Sequence, residues 1–301
     1  MRWHDLLGPQ QRLPQFAALD DWFAALRAQD APDPFELAVL GGRVSITPGL
    51  AFLAGYQAAL RRLWPEAPDG LGALCATENR RLRPADMQTR LSGQQVSGRK
   101  DFVTGGPAAS WLLVPARDEP TGDSPRLTLC VVDSGELGVH VEIGPPLPLV
   151  PDIPHGRLHL ESAPCRRLHG DGWDDYVKPF RTLEDLHVLT ALVSWLYGIG
   201  LEEGWPQRLQ LQLAGILAGA AECSRSSPAD AATHLLLASL SLQFDTLAGD
   251  IDVALGNGPA KWRQLWHRDR GVLQLARAAQ AKRLAQAAAA VGLTAEGDVT
   301  E

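Results

Sequence analysis

The distribution of apolar and polar positions changes twice along the chain. In residues 12–30, apolar side chains recur every three or four positions, which is the spacing of an amphipathic helix. Between residues 71 and 168, short apolar runs alternate with polar residues and are separated by Gly and Pro, a pattern typical of a half-buried antiparallel sheet. From Thr182 onward the helical spacing returns. The sequence therefore predicts an α+β multidomain fold with N-terminal helices, a central antiparallel β-barrel or sandwich, and a C-terminal four-helix bundle.

The first helical part is expected to span residues 1–69. Helices are predicted over residues 12–30 and 34–40, and Gly41-Gly42 is interpreted as a break. Thr47-Pro48 supplies the start signal of a third helix, because Pro is favoured in the first turn. These helices form the smallest of three predicted domains.

The sheet domain is expected to span residues 70–180. Ser97-Gly98 is interpreted as the turn of a β-hairpin at its centre. Strands are predicted over residues 71–76, 86–96, 100–104, 110–116, 126–133, 137–143 and 156–162. Short strands at regular intervals favour a compact barrel or sandwich.

The bundle is expected to span residues 181–301. Thr182 is predicted to cap its first helix, so that Glu184 and Asp185 fall in the first turn, and residues 198–204 interrupt the helix. Further helices are predicted over residues 206–222, 229–255 and 259–292. Four aromatic residues are expected to pack in the bundle core: Trp195, Trp205, Trp262 and Trp266.

Composition narrows the functional classes. The 301 residues carry a net charge of −7, which argues against a nucleic-acid partner, because binding phosphate backbones needs clustered cations. A membrane span needs about 18 consecutive apolar residues, and the sequence has no such run. Four isolated cysteines, without a signal-peptide core near Met1, predict reduced thiols and a cytoplasmic location.

Two short motifs resemble a known family. Thr77-Glu78 at a predicted strand end, followed by Gly98-x-Lys100-x-Phe102-Val103-Thr104, is similar to segments of the central β domain of acyl-CoA dehydrogenases, which read roughly T-E-P and G-x-K-x-W-I-T-N. The resemblance covers residues 70 to 190 and extends to the rest of the chain through the order of its elements. The sequence is thereby identified as a shortened, divergent member of the acyl-CoA dehydrogenase superfamily.

The resemblance implies a cofactor and a reaction. In this family FAD lies between the sheet domain and the bundle, and the matching flavin-contacting positions here are Thr77, Phe102, Val103 and Thr104. A glutamate removes the α-proton of an acyl thioester while a hydride leaves the β-carbon for the flavin. Family members assemble through the bundle, so a homodimer is expected, with an acyl-CoA or an acyl-carrier substrate.

Several family features are missing. Counting from Arg268-Asp269, the usual glutamate falls at or near Arg277, and no acid follows before Gly292. Glu184, within Leu183-Glu184-Asp185, then matches the alternative base position of some members, which read L-E-R. The R-x-x-F-G and Q-x-x-G-G turns that grip the pyrophosphate and adenine are also absent. Two hypotheses follow: a flavin-dependent oxidoreductase with Glu184 as base, or a catalytically inactive relative that binds an acyl ligand or a protein partner.

Simpler interpretations accompany each candidate residue. Glu184 in a first helical turn would interact with the helix dipole, and Thr and Phe are ordinary strand formers. His155 and His159 suggest a zinc site, but an extended segment separates residues four apart, so strand-face histidines are favoured and no metal is assigned. The basic cluster Arg80 to Arg83 is interpreted as a solvated loop, with a phosphate or CoA contact as the alternative.

Overall fold

The computed structural model describes residues 3–29, 31, 33–80, 83–120 and 123–293. It confirms the predicted fold class, with helices first, a β-sheet in the middle and helices again at the end. Arg81 and Leu82 of the basic cluster lie outside the described residues. The helices before the sheet are α1 (Trp3–Leu7), α2 (Leu19–Arg27), α3 (Pro34–Val44) and α4 (Pro48–Leu63).

The chain groups into two compact units. The described parts of Met1–Arg12, Ala31–Ala58 and Thr182–Glu301 form one unit, and those of Leu13–Asp30 and Ala59–Arg181 form the other. The sheet belongs to the second unit and most helices belong to the first. The division into domains 1–69, 70–180 and 181–301 stays a prediction.

The predicted break at Gly41-Gly42 is wrong. Helix α3 continues through both glycines to Val44. A Cβ atom at Gly42 would lie 2.1 Å from the carbonyl oxygen of Ala191, which shows that the glycine permits close helix packing. Helix α2 also begins at Leu19, later than the predicted residue 12.

One eight-stranded sheet dominates the second unit. Its strand order is β6-β7-β3-β2-β4-β5-β8, and β1 pairs with β4 in parallel. The strands are β1 (Leu71–Leu74), β2 (Arg90–Ser92), β3 (Gln95–Thr104), β4 (Ala109–Arg117), β5 (Leu127–Asp133), β6 (Val139–Ile143), β7 (His155–Pro164) and β8 (Arg166–Arg167). Inward side chains of these strands form an apolar core that includes Val96, Val103, Leu112, Leu158 and Leu160.

The predicted turn at Ser97-Gly98 is wrong. Strand β3 runs through both residues, and the hairpin reverses earlier, where Ser92 pairs with Gln95. Gly98 has a φ of +149°, and a Cβ atom there would lie 2.6 Å from Cα of Thr89. The glycine thus permits a close approach of two chain segments. A Ser-Gly pair is found both in turns and at such contacts, so the sequence alone does not distinguish them.

The helical region after the sheet starts earlier than predicted. A π-helical turn (Gly172–Val177) leads into α5 (Lys178–Glu202), so Thr182 lies inside the helix and does not cap it. Gly198 and Gly200 lie within α5, so the interruption predicted for residues 198–204 begins only after Glu202. The remaining helices are α6 (Gln207–Arg225), α7 (Ala231–Thr246), α8 (Ala248–Gly256), α9 (Ala260–Asp269) and α10 (Arg277–Ala290).

Aromatic packing organises this helical region, as the sequence predicts. Trp195 is fully buried, its ring centroid lies 5.8 Å from that of Trp262 and 6.2 Å from that of Trp266, and Trp205 is buried as well. Within the described residues, no helix combines the length and the apolar character that crossing a membrane requires.

Candidate functional site

A β-bulge in strand β3 sets the geometry of the candidate site. Lys100 pairs with Leu158 and Val103 pairs with Gly156, so two residues of β3, Asp101 and Phe102, face the single residue between those partners on β7. The extra residue shifts the inward and outward alternation by one position. Lys100 and Val103 therefore both point inward, whereas Phe102 is 48% exposed on the outer face.

The loop that follows β1 is joined to this bulge. The backbone amide of Asp101 donates a hydrogen bond to the carbonyl oxygen of Thr77 at 2.8 Å. The structure thus brings the Thr77 and Phe102 motifs together. Unlike Phe102, Val103 has its side chain in the sheet core, so only its backbone is near the outer face.

Two threonines lie in the segments that adjoin the exposed ring. Thr77 and Thr104 are both half-buried, and Thr104 ends β3 opposite His155. Neither hydroxyl forms a hydrogen bond with any residue that the structure describes. An exposed aromatic ring with free hydroxyl groups in the adjoining segments has the chemistry to bind a flat aromatic ligand with polar atoms on its edge, such as an isoalloxazine ring.

A groove of about 580 Å³ opens at Phe102. Its lining combines apolar and charged side chains. Its apolar side chains are Phe102, Ile143, Pro145 and Leu147, and its charged side chains are Arg80, Asp101, Glu142 and Arg157. A second groove of about 710 Å³ continues along the outer face of β3 and β7 and shares Asn79, Asp101, Glu142 and Arg157 with the first.

A buried ion pair supports the site from inside the sheet. Nζ of Lys100 lies 2.7 Å from Oε1 of Glu78 and donates a hydrogen bond to the carbonyl oxygen of Pro115, also at 2.7 Å. Glu78 also accepts a hydrogen bond from the backbone amide of Gln88 at 2.6 Å. The pair therefore fixes the residue next to Thr77 to strands β3 and β4.

Burial and charge have opposing effects on this pair. Burial raises the pKa of Glu78, but the charge of Lys100 and the donated hydrogen bonds outweigh it, so the pKa lies below its ordinary value. Burial lowers the pKa of Lys100, and Glu78 offsets this only in part. Glu78 and Lys100 both belong to the motifs named in the sequence analysis. Their ion pair could not be predicted, because the sequence does not show which residue a buried lysine on a strand will contact.

The loop after Thr77 has an unusual backbone. Asn79 and Arg80 have φ angles of 49° and 60°, in the left-handed region that side chains disfavour. The backbone amide of Arg80 donates a hydrogen bond to Oδ2 of Asp101 at 2.6 Å. This bond and the one at Thr77 hold the loop beside the bulge, which places Arg80 in the wall of the same groove as Phe102.

Glu184 does not lie in a first helical turn. Helix α5 begins at Lys178, six positions earlier, and Glu184 is half-buried with a polar partner. The predicted interaction with the helix dipole is therefore wrong, because that effect is confined to the terminal turn. Its role as a base stays a prediction.

The histidines of the zinc alternative lie on strand β7. Nδ1 of His155 is 2.9 Å from the carbonyl oxygen of Ile153, and burial lowers the pKa of His155. Nε2 of His159 is 3.3 Å from Oε2 of Glu142. Among the described residues, no three His, Cys, Asp or Glu side chains lie close enough together to bind a metal ion.

Comparison with known proteins identifies the fold of this chain through solved structures of low sequence identity. No protein-family model matches the chain, and no curated protein matches its sequence. Solved structures do match. An FAD-dependent dehydrogenase is 11% identical, with a TM-score of 0.64 over 92% of this chain and 93% of that one.

Two further structures agree with this result. Butyryl-CoA dehydrogenase from Megasphaera elsdenii is 13% identical, with a TM-score of 0.60 over 86% of this chain and 82% of its own. PigA, solved with FAD and proline, is 14% identical, with a TM-score of 0.60 over 87% of this chain and 83% of its own. The chain therefore has the acyl-CoA dehydrogenase fold, and the resemblance carried by the Thr77 and Phe102 motifs is confirmed at the level of the fold.

Proposed function

We propose that the chain is a flavin-dependent oxidoreductase that binds FAD against Phe102 and acts on an acyl thioester. The observation that carries this proposal is the bulge at Asp101-Phe102, which turns an aromatic ring outward beside the Thr77 loop. Bulges of this kind re-aim side chains next to active sites. Structures of the same fold include an FAD-dependent dehydrogenase and PigA with FAD, which supports the choice of cofactor.

The outer face of the bulge has the chemistry that an isoalloxazine ring needs. Phe102 offers a ring face for stacking, and the hydroxyls of Thr77 and Thr104 are free to bond with the polar edge of the ring. Val103 contributes its backbone to this site, since its side chain lies in the core. FAD, when bound, supplies the hydride acceptor.

Glu184 is the proposed base that takes the α-proton of the substrate. A carboxylate can act as a general base, and Glu184 is a half-buried carboxylate on α5. Its position matches the alternative base position of the acyl-CoA dehydrogenase family, and it lies inside α5 rather than at the end of the helix. The proposed substrate is an acyl-CoA or an acyl-carrier thioester, since the same fold occurs in butyryl-CoA dehydrogenase. Assembly as a homodimer and a cytoplasmic location complete the proposal.

Anaerobic reduction by substrate tests this function. The protein is loaded with FAD, butyryl-CoA or longer acyl-CoA esters are added, and the visible flavin band is followed. The wild type should bleach, whereas Glu184→Gln should keep its colour but lose the bleaching. Glu222→Gln, at an exposed carboxylate on α6, is the matched control and should bleach like the wild type. Unchanged bleaching in Glu184→Gln would eliminate Glu184 as the base.

An inactive relative is the second candidate. The absence of an acid between Arg270 and Gly292, together with the missing pyrophosphate and adenine turns, favours it. In that case the fold would bind an acyl ligand or a protein partner without redox chemistry. A protein that binds FAD and bleaches with none of the acyl thioesters would support this candidate over the enzyme.

A further inference from the structure

Three arginines surround the two grooves on the outer face of the sheet. The strand register places Arg99 opposite His159, and it places Arg157 opposite the Asp101-Phe102 bulge. Arg80 reaches the same surface from the loop after β1. Arg80 lines the first groove, Arg99 the second and Arg157 both. All three side chains are exposed.

These arginines differ from most others near the sheet. Arg117 pairs with Glu119, and Arg126 pairs with Asp118. By contrast, the guanidinium groups of Arg80, Arg99 and Arg157 form no ion pair with any residue in the described part of the chain. In a protein of net charge −7, three unpaired cations around one surface are a local excess of positive charge.

Two carboxylates, Asp101 and Glu142, offset part of this charge, and three arginines against two acids leave one positive charge at the grooves. Oδ2 of Asp101 accepts a hydrogen bond from the backbone amide of Arg80, and Oε2 of Glu142 lies 3.3 Å from Nε2 of His159, so neither acid forms an ion pair with these arginines. The buried pair of Glu78 and Lys100 adds no net charge. The other titratable side chains that line the two grooves are His155 and His159, and exposed Glu161 lies further along the same face of β7.

We propose that Arg80, Arg99 and Arg157 form a subsite for the phosphate or pyrophosphate group of a ligand that binds at the Phe102 groove. Guanidinium groups are planar donors that match phosphate oxygens two at a time, and free arginines at a groove rim do not have to break an ion pair before binding. The proposal rests on the proposed flavin site, because both share the first groove. These arginines would also provide phosphate contacts in a chain that lacks the R-x-x-F-G and Q-x-x-G-G turns.

Two kinds of ligand carry a suitable phosphate group. One is the pyrophosphate of FAD, and the other is the phosphate of a CoA or carrier thioester. Both would be recognised by the same arginines, so titrations with separate compounds have to distinguish them. Riboflavin carries the isoalloxazine ring without phosphate, free CoA carries phosphates without a flavin, and inorganic pyrophosphate has neither ring.

The test compares Arg157→Gln, Arg157→Lys and Arg208→Gln in the full chain. Arg208 is an exposed arginine on α6 and serves as the control. Titrations at low and at physiological salt give the affinity for FAD, riboflavin, CoA and pyrophosphate. We expect Arg157→Gln to weaken FAD or CoA about tenfold, with a smaller salt dependence, while riboflavin binding is unchanged. Arg157→Lys should recover part of the loss, and Arg208→Gln should match the wild type.

Each outcome decides the proposal. Weaker FAD binding assigns the subsite to the cofactor, and weaker CoA binding with unchanged FAD assigns it to the substrate. If no flavin binds, the flavin site fails, yet loss of pyrophosphate binding in Arg157→Gln would still support the subsite. Equal affinities of wild type and Arg157→Gln for FAD, CoA and pyrophosphate would overturn it.

Discussion

The backbone amide of Asp101 donates a hydrogen bond to the carbonyl oxygen of Thr77 at 2.8 Å. This single bond joins the loop after β1 to the bulge of β3, immediately before Phe102. Two segments that are more than twenty residues apart in the sequence thereby form one surface. The proposed flavin site depends on this junction, because Phe102 supplies the ring and Thr77 supplies a free hydroxyl.

Removing the ring of Phe102 should weaken flavin binding without unfolding the protein. In Phe102→Ala we expect the dissociation constant for FAD to rise about tenfold or more, since a stacked aromatic contact contributes about 0.5–1.5 kcal/mol beyond its buried area. The melting temperature should change little, because the side chain is 48% exposed. Fluorescence titration with FAD measures the effect. Leu137→Ala, at a residue that is 89% exposed, is the control, and equal affinities in both variants would contradict the assignment.

Removing the charge of Lys100 should destabilise the sheet. Lys100→Met leaves Glu78 as a buried charge, which typically costs about 3–5 kcal/mol of unfolding free energy. Adding Glu78→Gln should restore much of the loss, because an amide oxygen still accepts the hydrogen bond from Gln88. Urea denaturation measures both variants. A Lys100→Met protein within about 0.5 kcal/mol of the wild type would show that the pair is not a structural support.

Acid should destabilise the protein through Glu119. Burial raises the pKa of this carboxyl, but hydrogen bonds from Arg117 and from the backbone of Arg126 outweigh it, and the pKa falls to about 2. The pKa of Glu119 in the folded protein lies below the ordinary value of 4.5, so between these two pKa values the unfolded chain binds more protons than the folded one. The contribution of Glu119 to the free energy of unfolding is therefore complete above pH 4.5 and is lost as the pH falls towards 2. Urea midpoints from pH 6 to pH 3 should decline less steeply in Glu119→Gln than in the wild type.

Two glycines of the β2–β3 hairpin should respond differently to alanine. Gly98→Ala should cost about 3 kcal/mol, because the new Cβ would collide with the backbone of Thr89. Gly93→Ala should cost about 1–2 kcal/mol, since its φ of +59° is unfavourable but the space around it is open. Thermal or urea unfolding measures both. Equal stabilities would mean that Gly98 does not mark a close approach of strands.

The sequence predicts the elements of the fold better than their ends. Apolar spacing identifies most strands and helices, because burial of one face imposes a period on each. The sequence analysis predicts the start of α5 too late, at Thr182, although Pro179 is a residue type favoured in the first helical turn and α5 begins at Lys178. The turn at Ser97-Gly98 is mispredicted for another reason, since glycine is favoured both in turns and where strands approach closely.

The candidate site is predictable only in part. The sequence identifies the motifs at Thr77 and Phe102, and the structure shows that they adjoin. That they bind a flavin stays a proposal. The bulge itself, the partner of Lys100 and the position of Arg157 depend on strand register, which forms between distant segments. Local patterns carry no information about which residue of β7 faces Phe102.

Whether Phe102 marks a flavin site is tested by the absorption spectrum of the protein after incubation with FAD and removal of the unbound cofactor. We expect an equimolar flavin spectrum in the wild type and a melting temperature that rises with the FAD concentration, since a ligand of the folded state stabilises it by mass action. In Phe102→Ala both effects should be reduced. A colourless wild-type protein whose melting temperature does not change with FAD would show that the site at Phe102 does not bind a flavin.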